Sequence, residues 1–255
     1  MHPHLAAPLA GNLNPLNDSK RVMLTTDPHP NGYKFEFAAR PDFGFATVRL
    51  EENETIKVEA SAMATMDATI KMKTRMKGGV GRLITGESIF INEFTARNGP
   101  GEIGIAPGNT GDIEHVYLEG ETIYLQNSGY VASSPEVVLD TKWQGFVKGF
   151  FSGEGLFLIK CSGTGDLFFS TYGAMIPIDV DGEHIVDNNY IVAFTEGLDY
   201  QIESIGGYKS LFFSGEGLVT RFRGRGRLWI QTRQVPAFAT WIRPFRRVQK
   251  SKNSN

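Results

Sequence analysis

The sequence predicts an all-β fold of three pseudo-symmetric antiparallel β-repeats, stacked as a prism or a double-stranded β-helix-like sandwich. A Ser/Thr-Gly-Glu-Gly/Ser turn occurs three times, and its glycines Gly86, Gly153 and Gly215 lie 67 and then 62 residues apart. Self-similarity at a near-constant period is the signature of a repeat architecture. No segment carries an i, i+3, i+4, i+7 apolar stripe over three turns, so helix content should be low. The 29 Gly and 12 Pro are scattered through the 255 residues, as a chain of many short strands requires.

Residues 1–30 read as a flexible tail rich in Pro and Asn, residues 31–235 as one β domain and residues 236–255 as a basic C-terminal arm. The repeats divide at about 31–125, 126–188 and 189–235. Asn31-Gly32 and Asp181-Gly182 are turn signals. Each repeat has an extended stretch upstream of its motif, at Lys57-Val58-Glu59-Ala60, Tyr130-Val131-Ala132-Ser133 and Ile191-Val192-Ala193-Phe194. Each motif then leads into a strand, a Gly-x-Gly turn (Gly99/Gly101, Gly163/Gly165, Gly224/Gly226) and a second strand. That order is expected to form a β-hairpin. A hairpin alone is marginal in water, so the three units should bury their apolar faces against one another.

With 41% hydrophobic residues and 18 Phe, the chain has the apolar surface to build a core. Its single cysteine, Cys161, excludes an intrachain disulfide and paired zinc thiolates. Among Leu158, Ile159 and Phe168 it reads as a small core hydrophobe. No apolar run approaches the ~20 residues of a membrane span. The N-terminus lacks a basic start, and the first arginine is Arg21, so neither a secretory nor a transit signal is expected. The expected location is the cytoplasm, or the mitochondrion only for a eukaryotic source. The net charge of -2 hides an asymmetry: no acid follows Glu216, and residues 217–255 hold eight Arg and two Lys, leaving -12 on the remainder. One end of the chain suits an anionic partner.

Catalytic signals are weak. Gly99-Pro100-Gly101-Glu102-Ile103-Gly104 matches G-x-G-x-x-G, but a strand follows it where a dinucleotide site needs a helix. Asp179, Asp181, Glu183, His184 and Asp187 could hold a cation, yet lack a calcium-hand frame and read better as a solvated Asp-Gly hairpin. Ser152 and Ser214 sit in no nucleophile elbow. Glu87, Glu154 and Glu216 recur at one place in the repeats. They could converge on a cation, or accept turn amides within each repeat, which is structurally simpler. No catalytic residue, cofactor or metal site is expected.

The candidate contact residues are basic. Lys71, Lys73, Arg75 and Lys77 line one strand face with Met72 and Met76 opposite, and Arg221, Arg223, Arg225 and Arg227 do the same with Phe222 and Leu228 opposite. Each stripe could be a solvated face, a subunit interface or an anion-binding surface. Arg243, Arg246 and Arg247 follow Trp241 and Phe245 in the arm. This mixture suits a membrane interface or a neighbouring subunit, and Pro236 and Pro244 keep it from being one helix.

The three motif copies, Ser133-Ser134-Pro135 leading to Asp140-Thr141-Lys142-Trp143, the Ser170-Thr171-Tyr172-Gly173-Ala174 turn and the closing Gln231-Thr232-Arg233 together resemble the mitochondrial biogenesis family named for the fungal altered-inheritance-of-mitochondria protein 24. The resemblance spans roughly residues 33–235. It implies membership of a bacterial and archaeal uncharacterised branch and a fold of stacked antiparallel sheets similar to the tryptophan RNA-binding attenuation protein. It also implies a homotrimer and no catalytic residues. The eukaryotic member is associated with the mitochondrial inner membrane. The reading that results is a non-catalytic oligomeric scaffold or adaptor whose basic C-terminal surface meets a membrane or a protein partner. A nucleic-acid (RNA) binder is the alternative, with Phe222 and Trp229 as its stacking rings.

Overall fold

The structure is a computed structural model that describes residues 28–75, 90–140, 158–204 and 218–246. The motif residues Gly86, Glu87, Gly153, Glu154, Gly215 and Glu216, together with Lys77 and Arg247, lie outside the described residues.

The described chain is almost entirely antiparallel β-structure. Strand β1 (Lys34–Ala38) precedes three segments of one plan. The first holds β2 (Phe45–Leu50), β3 (Thr55–Glu59), β4 (Met63–Met66), β5 (Ile70–Arg75), β6 (Ile91–Ala96) and β7 (Gly101–Ile105). The second holds β8 (Ile113–Glu119), β9 (Ile123–Gln126), β10 (Tyr130–Ser133), β11 (Val138–Asp140), β12 (Leu158–Ser162) and β13 (Thr164–Ser170). In the third, the first two and last two strands run together, giving β14 (Met175–Asp187), β15 (Ile191–Thr195), β16 (Leu198–Ser204) and β17 (Leu218–Gln231). Helix α1 (Val235–Ile242) and a 3-10 turn (Arg243–Phe245) follow. Pro236 opens the helix and Pro244 sits in the turn, so the arm is two short pieces, as its prolines require.

The register of one ladder recurs in all three segments. In the first, Met63, Thr65 and Met66 of β4 face Ile105, Gly104 and Ile103 of β7. Tyr130, Ala132 and Ser133 of β10 face Phe169, Phe168 and Leu167 of β13 in the same way. Ile191, Ala193 and Phe194 of β15 face Ile230, Trp229 and Leu228 of β17. Each short strand shifts register at the same step, skipping Ala64, Val131 and Val192, which marks a β-bulge common to the three. The recurring unit therefore starts near residues 45, 113 and 175, and the sequence divisions at 125/126 and 188/189 fall inside it.

The Gly-x-Gly segments do not close hairpins. β6 pairs with β3 and β5, whereas β7 pairs with β2 and β4 in a different sheet. The chain passes from sheet to sheet at Gly99 (φ 123°) and Gly163 (φ 110°), whereas in the third unit β17 runs on through Gly224 (φ 122°) within one sheet. A second strand turns beside it at Asn53 (φ 69°), Gly120 (φ 98°) and Gly182 (φ 115°), and Gly182 lies directly opposite Gly224. There, positive φ on both strands leaves the β14–β17 ladder continuous. Asp181-Gly182 is accordingly the middle of the long strand β14, not a hairpin turn. Asn31-Gly32 is a turn, with the Gly32 N–H donating to His29 O at 2.9 Å.

Sheets are shared between units, not owned by them. β3 of the first unit pairs with β10 of the second, and β9 of the second with β15 of the third. Core packing follows the same hand-over. One cluster joins Val48, Ile56, Phe94 and Ile103 to Ala132 and Phe168, the next joins Leu125, Tyr130 and Phe169 to Ala193 and Trp229, and the last is built around Phe194, Phe222 and Leu228. The middle cluster is where all three units meet, since Ile91 of β6 packs against it beside Val192, Ala193 and Trp229.

Candidate functional site

The two inter-unit junctions are equivalent. Ala132 of β10 faces Val58 of β3, and Ala193 of β15 faces Leu125 of β9. In both cases the β3-type residue lies seven positions before its unit's own copy of the alanine, since Val58 precedes Thr65 as Leu125 precedes Ala132. The same count in the third unit runs from Val186 to Ala193. Among the described residues, however, Glu183–Asp187 of β14 pairs only with β17, and β4 pairs only with β7. One junction of each kind is thus left open, at opposite ends of the chain. Met66 and Ile185, which the shared register would set face to face, are each 43% exposed.

The arginine stripe of β17 is locked to acids. Arg221 is held by Glu203 (Nη2–Oε1 2.7 Å) and by Glu183, Arg223 by Glu183 at 2.9 Å, Arg225 by Asp181 at 2.8 Å and Arg227 by Asp179 at 2.7 Å. Three of these pairs sit directly opposite one another across the β14–β17 ladder, where opposite charges attract. Hydrogen bonds from Arg223 and then Arg221 hold the Glu183 carboxyl below its ordinary range, and Glu203 and then Glu183 raise the Arg221 guanidinium. The carboxylates that read as a solvated hairpin are therefore the counter-ions of the basic stripe. Phe222 and Trp229, the rings expected to stack bases, are both wholly buried: Phe222 alternates to the face opposite the arginines, and Trp229 packs in the middle core cluster against Phe169.

Lys71 and Lys73 lie exposed on β5, and Lys73 faces Glu93; Arg75 closes the same strand. Met72 is 51% exposed, although alternation should have buried it. Among the described residues β5 is an edge strand paired only with β6, and residues 71–74 are exposed on both of its faces.

The C-terminal arm makes an aromatic end-surface. Helix α1 has no buried residue. A file of rings runs Tyr172–Phe238–Trp241–Phe245, with centroid separations of 5.9, 5.9 and 5.7 Å. Beside it opens a cavity of about 740 Å³ lined by Phe43, Tyr172, Tyr190, Arg233, Phe238 and Trp241, among others. Arg243 and Arg246 lie exposed on the same arm. The sequence marked this arm; Phe43, distant in sequence, it could not.

One buried polar cluster carries no sequence motif. The His115 Nε2–H donates to Asp166 Oδ1 at 2.7 Å, and Asp166 Oδ2 accepts from Tyr33 N at 3.0 Å and Ser134 Oγ at 3.1 Å. His115 Nδ1 has no hydrogen-bond partner among the described residues. The imidazole packs against Phe35 and Phe168 at 4.4 and 4.8 Å. Cys161 is buried, and burial pushes its thiol up to about 12, a structural rather than a reactive setting. Among the described residues, no three His, Cys, Asp or Glu side chains gather as a metal site, and no helix is long and apolar enough to cross a membrane.

A chain handed from sheet to sheet through three bulged units has a counterpart among known families. The family model described as Mitochondrial biogenesis AIM24 matches residues 35–233. The chain belongs to this family. An uncharacterised protein of Streptococcus pyogenes serotype M6 is 28% identical over 229 residues, covering 84% of this chain and 92% of the relative. A crystal structure of a Streptococcus pyogenes protein superposes with a TM-score of 0.71 at 25% identity, covering 84% of this chain and all of that one. The family match takes in all three units and ends at Arg233, so helix α1 and the rest of the arm lie beyond it.

Proposed function

We propose that this AIM24-family chain is a non-catalytic scaffold that works as a closed homo-oligomer, with three copies favoured. The observation that carries this reading is the pair of open junctions. β4 of one copy fits beside Glu183–Asp187 of the next in the register of β10 on β3 and β15 on β9, placing Thr65 opposite Val186 and Met66 opposite Ile185. An unpaired, apolar strand edge is a template for pairing with another chain, and a head-to-tail contact that closes on itself makes a ring. The ion-paired carboxylates of β14 and the buried Cys161 support a non-catalytic role.

Size-exclusion chromatography with light scattering tests it. The wild-type chain is expected to run as one discrete oligomer. Met66→Lys with Ile185→Lys sets like charges opposite each other and should yield a folded monomer by circular dichroism, whereas Met66→Glu with Ile185→Lys should retain the oligomer. A monomeric wild type, or a double-lysine variant of unchanged mass, overturns the proposal.

A further inference from the structure

We propose that the aromatic end-surface formed by helix α1, the turn after it and Phe43 is a docking face for an anionic lipid bilayer. Phe43, Val235, Phe238, Trp241, Ile242 and Phe245 are 43–73% exposed, and they belong to one end of the molecule because Phe43, Phe238 and Trp241 line the same cavity. A contiguous apolar patch of this kind marks an interaction site. Its rim is cationic. Arg233 lines the cavity, and Arg243 and Arg246 follow on the arm. Arg247, Lys250 and Lys252 come next in the sequence, with no acid anywhere after Glu216.

Charge complementarity selects the occupant. A short apolar helix with flanking arginines and interfacial Trp and Phe fits the boundary between headgroups and acyl chains, and each basic residue near an anionic leaflet adds to the attraction. A second copy is served by the β4 and β14 edges, which lie on other strands. The arginines of β17 already have carboxylate partners, whereas neither Arg243 nor Arg246 is among the ion pairs of the described residues. Where the assembly proposed above forms, any cyclic arrangement turns every copy's patch to the same side, so one ring meets the membrane several times. Only this avidity rests on the assembly reading; the patch itself belongs to one chain.

Flotation of the full chain with vesicles decides the matter. Equimolar phosphatidylcholine–phosphatidylglycerol vesicles should carry the protein up, pure phosphatidylcholine vesicles should not, and added salt should weaken the binding. Trp241→Ser with Phe245→Ser should lower the vesicle-bound fraction roughly tenfold with no change in oligomer mass. The Met66→Lys, Ile185→Lys monomer should still float, less completely, so that failure of the assembly leaves this test intact. Equal flotation with both vesicle types, none with either, undiminished flotation of the Trp241/Phe245 variant, or RNA retention by this surface without flotation overturns the proposal.

Discussion

The carboxylate of Asp166 is a buried acceptor shared by several segments, and replacing it has a calculable cost. It is 1% exposed and accepts from three donors on three different segments: the Tyr33 amide, His115 Nε2 and Ser134 Oγ. Gly32 packs so closely that a Cβ there would come within 2.5 Å of its Oδ1. Asp166→Ala leaves all three donors without the carboxylate, and all three belong to buried residues. A hydrogen bond to a charged group contributes ~1.5–3 kcal/mol, and bonds sharing one acceptor do not add in full. The expected loss is therefore about 4 kcal/mol, a large part of the ~5–15 kcal/mol that holds a domain together. Asp166→Asn keeps the shape but turns an amide toward one donor, and should lose about 2 kcal/mol. Urea denaturation measures both, and hydrogen exchange at the Tyr33 amide tests whether the anchorage of β1 is lost with the carboxylate. A loss below about 1 kcal/mol for the alanine variant, or undiminished protection at Tyr33, would refute the reasoning.

Two further substitutions probe other parts of the fold. Burial raises the Glu59 carboxyl from 4.5 to about 7, so between these values the folded chain holds a proton that the unfolded chain has released. Stability should fall as pH rises through that window and level off above it; Glu59→Gln should gain ~1–2 kcal/mol at pH 8, after discounting for partial exposure, and nothing at pH 4, a gain at pH 4 sinking the assignment in thermal melts. At Gly111, a Cβ would stand 2.0 Å from Thr171 O and 2.7 Å from Gly173 O. Gly111→Ala should therefore cost ~1–3 kcal/mol in a denaturant midpoint, and a neutral effect would show that the Gly111–Gly173 seam is not tight.

Period and alternation made the β-class legible, and glycine spacing made the corner positions legible. What the glycines do there was not. Gly-x-Gly with positive φ is the local chemistry of a hairpin, and it is equally that of a strand leaving one sheet for another. The difference lies in whether Phe94 meets its neighbour across the turn or Ile56, 38 residues earlier in the chain, as the ladder shows. The partners of the arginine stripe were illegible for a related reason: Asp179, Asp181 and Glu183 lie 40–48 residues upstream, and only the β14–β17 register brings them opposite. Asp166 gave no signal at all, since a buried acceptor is recognised by donors that tertiary structure delivers.

The charges on the edge strands support the proposed assembly. Sheet edges in monomers are commonly protected by charge. β1 carries Lys34 and Glu36, β5 carries Lys71 and Lys73, β8 carries Glu114 and Glu119, β11 carries Asp140 and β16 carries Asp199 and Glu203. β4 reads Met63-Ala64-Thr65-Met66, with no charge and no proline. It is the one edge strand of the described sheets without such protection, and it is also the strand whose two counterparts, β10 and β15, are paired on both sides. A chain under pressure to stay monomeric would place a lysine at Met66, which is solvent-exposed and free of the bulge; the Met66→Lys substitution asks what that protection would undo.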